Sequence, residues 1–206
     1  MTLDKMLARG LTAMELKLPA STSVRLIRFL ALLEKWNRHY NLTAIRDPEQ
    51  MVGRHLLDSL AILPHLYGAR VLDIGTGAGL PGIPLALAQP QLQFTLLDSN
   101  AKKLSFVRQA LHELEIANAT TVQARVEKFE PEQKFDTLTA RAFSSLAELA
   151  AGSAHLCVPG GRILAMKGVF PQEELAAVGE DYRKQVKTLT VPGLDAERHL
   201  VILEPC

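Results

Sequence analysis

From Val24 to Tyr40 apolar positions recur at helical spacing: Leu26, Leu30, Leu33, Trp36 or Asn37, and Tyr40 fall near one face. The preceding Ser21 to Ser23 run offers side-chain oxygens for an N-cap. A second helix is predicted from "RDPEQ", with Asp47 as N-cap, Pro48 at the first helical position and Gln50 closing a capping box. It carries "MVGRHLLDSLAIL" and should stop near Pro64. From Arg70 the pattern changes to short apolar runs separated by amphipathic stretches. "RVLDIG", "FTLLDS", "ATTVQA", "FDTLTA" and "GRILAMKG" read as strands. Between them, helices are predicted over Pro81 to Gln89, over "NAKKLSFVRQALHEL" capped by Asn100, over Ser144 to Leu156, and over Pro171 to Tyr182. The end, "VKTLTVPGL" then "RHLVILEP", reads as two strands joined without a helix.

Strands alternating with helices predict a parallel doubly wound sheet. Parallel neighbours need a long crossover, so the closing pair predicts an antiparallel edge. The expected fold class is therefore α/β, a Rossmann-like doubly wound sheet with an antiparallel last strand, plus N-terminal helices. That combination is typical of class I S-adenosylmethionine-dependent methyltransferases. We expect a helical segment, residues 1–66, packed on a core of residues 67–206, in one compact unit.

Composition narrows the function little. With 206 residues and a net charge of +1, the chain is long enough for a sizeable core and has no overall basic character. Any surface for nucleic acid must come from local arrangement. The two cysteines, Cys157 and Cys206, lack C-x-x-C spacing and cannot make a disulfide framework, which points to a reducing, cytoplasmic setting. No signal-peptide pattern or uncharged apolar run of membrane-spanning length is present, so no membrane association is expected.

The stretch "DIGTGAGLPG", Asp73 to Gly82, follows a predicted strand and precedes a predicted helix. From Gly77 it reads G-x-G-x-x-G (Gly77, Gly79, Gly82), the dinucleotide fingerprint. From Gly75 it reads G-x-G-x-G (Gly75, Gly77, Gly79) preceded by an acid. Glycines let the backbone turn sharply and approach a ligand with no Cβ in the way. Asp73 separates the two frames. A carboxylate there would suit the ammonium of S-adenosylmethionine and would repel a pyrophosphate. Asp98 ends the next strand, 23 residues after Gly75, where it can accept ribose hydroxyls in either kind of cofactor.

The blocks "KWNRHYNLTAIRDPEQMVGRHLLDSL", "DIGTGAGLPGIPLA", "LLDSNAKK", "ARAF", "AMKG" and "ERHLV" together resemble the bacterial 16S rRNA guanine-N7 methyltransferase family, RsmG, also known as glucose-inhibited division protein B. The resemblance spans roughly Trp36 to the C-terminus. It implies methyl transfer from S-adenosylmethionine to N7 of one guanine in the small ribosomal subunit's rRNA. Carried over residue by residue, it implies cofactor contacts at Gly75 and Leu80, at Val126 and Glu127 after the third strand, and at Arg141 after the fourth.

Guanine N7 carries an in-plane lone pair and needs alignment with the methyl donor, not a general base. No [DN]-P-P-[FY] tetrapeptide for exocyclic amines and no internal Pro-Cys nucleophile for pyrimidine carbon occurs. N7 lies on the Hoogsteen edge, so the base must be exposed, with phosphate contacts around it. Candidates for RNA contact are Arg54, His55, Arg125, Lys167, Arg198 and His199. Arg141 and Lys167 follow strand ends, where open α/β sheets bind ligands, and are the positioning candidates; no catalytic residue is assigned.

His55 and Asp58 lie three apart, a hydrogen-bonded couple or a metal pair, but no further ligands stand at suitable spacing and no metal is expected. Trp36 and Tyr40 read as packing residues before base-stacking ones, and Cys157 as core. Asn37 and Asn41, on a mostly apolar face, are read as buried amides fixing the N-terminal helices over the cofactor mouth. A monomer acting on 16S rRNA or the small subunit is the leading reading. A class I methyltransferase for a small molecule or protein is the runner-up, with a nicotinamide oxidoreductase and a non-catalytic cofactor-binding protein behind it.

Overall fold

The computed structural model describes residues 1–143 and 145–206. Helices α1 (Leu3–Ala13) and α2 (Ala20–Tyr40) lead into α3, residues 48–60, whose middle turn, Val52–Leu57, is π-helical. A 3₁₀ turn at Leu63–His65 ends this segment beside Pro64, as the proline predicts. Then follow β1 (Arg70–Ile74), α4 (Gly82–Ala88), β2 (Gln93–Asp98), α5 (Ala101–Glu113), β3 (Ala119–Gln123) and β4 (Phe135–Arg141). The chain continues through α6 (Leu146–Ser153), β5 (Cys157–Lys167), α7 (Gln172–Ala177), β6 (Tyr182–Thr188) and β7 (His199–Pro205).

Among the described residues the strands form one sheet in the order β3-β2-β1-β4-β5-β7-β6. The first five are parallel, and β7 runs antiparallel to both β5 and β6. Strand order reverses between β1 and β4, which opens a crevice beyond their C-terminal ends. Alternation along β1 feeds both faces: Val71 packs with the N-terminal helices, α4 and α5, whereas Leu72 and Ile74 pack with α6.

The N-terminal helices are tied to the sheet side by polar as well as apolar contacts. Arg25 donates to the carbonyls of Leu114 (Nε, 3.0 Å) and Glu115 (Nη2, 2.9 Å), and Arg28 to that of Glu113 (3.2 Å), satisfying the open C-terminal end of α5. Trp36 stacks on Tyr40 (5.1 Å between centroids) and tilts against Phe106 of α5 (5.7 Å), a packing arrangement. Asn100 caps α5, its Oδ1 accepting from the backbone N–H groups of Lys102 and Lys103. Cys157 is buried.

Several boundaries differ from the sequence reading. Pro19, not a hydroxyl residue, caps α2: its carbonyl accepts from Thr22 and Ser23, which therefore sit inside the first turn. Asp47 does cap α3 through the N–H of Glu49, but among the described residues Gln50 makes no return bond. Helix α6 starts at Leu146, capped by Ser145; Ser144, the predicted start, lies outside the described residues. Helix α7 stops at Ala177, and β6 begins at Tyr182 rather than at Val186. Pairing with the full length of β7 overrides the helical pattern there, and the Tyr182 hydroxyl donates to the carbonyl of Ala150 in α6.

The two asparagines also part company. Asn37 is buried; its Oδ1 accepts from Thr43 N–H at 2.9 Å and its Nδ2 donates to Thr43 C=O at 2.9 Å. Asn41 is exposed and closes α2 in the left-handed region (φ 48°), so it is a terminator and not a buried amide. Among the described residues no helix is long and apolar enough to cross a membrane. Asn37→Ala should lower stability by about 1–3 kcal/mol in denaturant titrations, because it orphans both main-chain groups of Thr43. Asn41→Gly should stay within about 0.5 kcal/mol, since glycine adopts that conformation freely.

Candidate active site

The glycine loop is held from below. Asp73, at zero exposure, accepts through Oδ2 from the Thr76 hydroxyl (2.5 Å) and the Gly82 N–H (2.9 Å), and through Oδ1 from the Thr139 hydroxyl of β4 (3.1 Å). Burial pushes its pKa up to about 6, against the opposing pull of those hydrogen bonds and of the Arg141 charge. The expected role, a carboxylate facing a ligand's ammonium, is thus corrected: the group is sealed beneath the loop and organises it. Gly82 is required at this contact, because a Cβ there would strike Leu96 and come within 2.7 Å of Asp73 Oδ2.

The upper side of the loop is open. Gly75 has φ +66°, and a Cβ built on it would meet nothing within 4 Å, so backbone is presented to free space at the sheet's ligand end. The N–H of Gly77 donates to Asp98 Oδ2 at 2.8 Å, and Asp98 Oδ1 accepts from the Asn100 N–H at 2.8 Å. Asp98 therefore fixes the loop against the end of β2 while each oxygen keeps a further lone pair. Gly79 completes the turn, and its N–H donates to the Thr76 carbonyl. Leu80 and Val126 are buried in the core, so a ligand would meet these positions through backbone; Glu127 is exposed beside Val126 in a 3₁₀ turn after β3. An open glycine cradle and a rigidly held carboxylate at the next strand end fit an adenosyl cofactor with a ribose diol.

Beside the loop, beyond β4 and β5, lies a cleft of about 390 Å³ whose lining includes Arg54, His55, Asp58, Arg141, Lys167 and Arg198. Residues from α3, β4, β5 and the approach to β7 are thereby brought together across more than half the sequence. Lys167 is not a free cation: its Nζ pairs with Glu174 at 2.7 Å and reaches the Phe143 carbonyl at 3.4 Å, tying β5 to α7. Arg141 donates from Nη1 to the Arg54 carbonyl (3.2 Å) and to Asp58 Oδ2 (3.4 Å), and Arg198 donates from Nε to Asp58 Oδ1 (2.9 Å).

His55 is buried and shares no bond with Asp58 among the described residues. Its Nδ1 faces the Arg54 carbonyl, which can only accept, so Nδ1 carries the proton and Nε2 accepts from the Thr43 hydroxyl at 3.0 Å. Burial, helped by the Arg141 charge, lowers its pKa to about 4, so it is neutral near pH 7. It is a framework residue of the cleft and not a cation for RNA. His199 is likewise buried, edge-on to Phe170, with no partner for Nδ1 among the described residues. Arg125 is exposed after β3, on the opposite flank of the parallel strands from β5. Among the described residues no group of three or more His, Cys, Asp or Glu side chains could hold a metal ion. Sequence reasoning missed the carboxylate shared by Arg141 and Arg198, and the π-helical turn just before it. The "RH-x-LDS" spacing was visible, but its long-range partners were not.

Comparison with known proteins decides the family. Residues 23–201 match the GidB family model, described as rRNA small subunit methyltransferase G. The chain belongs to this family. A Ribosomal RNA small subunit methyltransferase G of Laribacter hongkongensis is 50% identical over 204 residues, covering 98% of this chain and 99% of that protein. Its counterpart in Methylobacillus flagellatus is 52% identical over 201 residues, covering 98% of each. Among solved structures, the N-methyltransferase NodS from Bradyrhizobium japonicum in complex with S-adenosyl-l-homocysteine aligns with TM-score 0.58 at 12% identity, over 84% of this chain and 98% of that one. An S-adenosylmethionine-dependent methyltransferase from Aquifex aeolicus aligns with TM-score 0.59 at 18% identity, over 76% and 93%. These place the GidB-family chain in the class I methyltransferase fold, as its element order predicts.

The Asp73 arrangement has a pH signature. A carboxylate whose folded pKa is raised adds stability below its ordinary range, and that contribution is lost as pH rises through about 6. Asp73→Asn can keep the Gly82 and Thr76 contacts without a charge. In urea titrations its stability relative to the unsubstituted chain should improve by about 2–3 kcal/mol between pH 4 and pH 7. A pH-independent difference would contradict the buried, ionising Asp73.

Proposed function

We propose that this chain is an S-adenosylmethionine-dependent methyltransferase that modifies N7 of one guanine in 16S rRNA of the small ribosomal subunit. It acts in the cytoplasm as a monomer without a metal ion. The observation that carries the reading is the cationic cleft beside an open glycine cradle, in a chain that aligns end to end with rRNA small subunit methyltransferases. The cradle backbone from Gly75 to Gly79, with Asp98 for the ribose hydroxyls and the Val126–Glu127 turn, would hold the cofactor. S-adenosylmethionine, when bound, supplies an activated methyl group on a sulfonium.

The protein's share of the chemistry is alignment. N7 attacks with a lone pair that carries no proton, so the residues around it need to orient the purine and exclude water. The cleft suits this demand. Its histidine is neutral and already engaged at both nitrogens, and two of its cations, Arg141 and Lys167, lie at the C-terminal ends of β4 and β5, where the ligand end of the sheet is. Methylation places positive charge on the guanine, which carbonyl acceptors of the cleft can offset. Phosphate contacts from Arg54, Arg141 and Arg198 would set the register of the RNA without reading its sequence.

The test uses purified small subunits and, separately, protein-free 16S rRNA with labelled cofactor, followed by borohydride and aniline cleavage. The account predicts label in RNA and a strand break at a single guanine. Label confined to protein or a small molecule, or labelled RNA without a break at any guanine, would overturn it.

A further inference from the structure

Asp58 is buried at 4% exposure, and its two carboxylate oxygens are divided between two guanidinium groups distant in sequence. Arg141 comes from the end of β4 and Arg198 from the residue before β7, and both line the cleft with Asp58. Each arginine has a second internal tie: Arg141 Nη1 to the Arg54 carbonyl, and Arg198 Nη1 to the Glu197 carbonyl at 2.8 Å. Among the described residues, Arg198 Nη2 and Arg141 Nε and Nη2 carry no hydrogen bond. Two planar donors are thus clamped at one end and unsatisfied at the other, in a cavity where Asp58 is the sole acid beside four cationic residues.

We propose that Asp58 is a positioning residue, which holds Arg141 and Arg198 side by side as a fork for one phosphodiester of the RNA next to the target guanine. This rests on the rRNA reading above. A guanidinium held through Nε or Nη1 by a fixed carboxylate loses little freedom when its remaining N–H groups meet a phosphate, and two such groups match the tetrahedral spread of its oxygens. Lys167 is spent on Glu174 and His55 is neutral, so the fork and the exposed Arg54 supply the cleft's unpaired donors.

The sign of one substitution separates positioning from bulk attraction. Asp58→Asn makes the cleft more positive by one charge, so attraction alone would lower KM for small subunits. Positioning predicts the reverse: KM for subunits rises roughly 10- to 100-fold, while the affinity of the folded variant for S-adenosylhomocysteine by calorimetry stays close to that of the unsubstituted chain, even though loss of the shared carboxylate lowers the melting temperature. Arg198→Lys, which keeps the charge and loses the fork, should raise KM for subunits about 10-fold with the salt dependence of binding retained. Arg198→Gln should reduce the slope of log K against log salt by about one. Asp58→Asn combined with Arg198→Lys should be no worse than the stronger single variant. Lower or unchanged KM for subunits in Asp58→Asn, or lost cofactor affinity with subunit binding intact, overturns the proposal. If Asp58→Asn fails to fold, an unchanged KM in Arg198→Lys does so alone. Failure of the unsubstituted chain to methylate subunit RNA would instead sink the broader reading, which the same assay reports first.

Discussion

A carboxylate with no exposure, at the end of the central strand β1, accepts hydrogen bonds from three directions: the glycine loop, the start of α4 and the neighbouring strand β4. Asp73 cannot leave this position without orphaning the Gly82 N–H and two hydroxyl groups. Burying it costs enough to raise its pKa to about 6, and that cost is accepted because the glycine-rich loop offers only the Thr76 hydroxyl as a polar side chain with which to hold itself. With the loop fixed from beneath, Gly75 can leave its upper face bare, and Asp98 can brace the loop from the next strand. The sheet's change of direction between β1 and β4 then places the bare face in the crevice.

The N-terminal helices complete the site rather than merely covering the sheet. Arg25 and Arg28 dock α2 onto the end of α5, and Asn37 fixes the connection that follows α2 through both main-chain groups of Thr43. The Thr43 hydroxyl then meets His55, whose other nitrogen meets the Arg54 carbonyl, which also receives Arg141. A polar chain therefore runs from a buried helix face to a cation at the end of β4. The π-helical turn lies in the middle of that chain and carries Arg54 and His55 immediately before Asp58. π-Helical turns recur at functional sites, and here the turn belongs to the cleft wall.

Local signals made the architecture legible. Period-two and period-3.6 patterns located the strands and most helices, Asn100 and Asp47 announced caps that they do form, and the missing crossover near the C-terminus announced the antiparallel edge. The glycine frame beginning at Gly75 could be chosen because an acid precedes it, although the reason for the acid differs: it serves the loop and not the ligand. What stayed hidden depends on contacts distant in sequence. Nothing local at Asp58 reveals two arginines 83 and 140 residues away, and nothing at Lys167 reveals that Glu174 neutralises it. The extent of β6 was misjudged for the same cause, since only β7 decides how far that strand runs. Exposure was the other blind spot: Asn37 and Asn41 look alike in sequence and serve opposite ends of one device.

The central claim is that the open loop is a cradle for an adenosyl methyl donor and not for a dinucleotide. It is tested most directly by calorimetric titration of the intact chain with S-adenosylhomocysteine and, in parallel, with NADH. The account predicts saturable binding of S-adenosylhomocysteine at one site per chain and no heat of binding with NADH. Saturable binding of NADH with none of S-adenosylhomocysteine would contradict it.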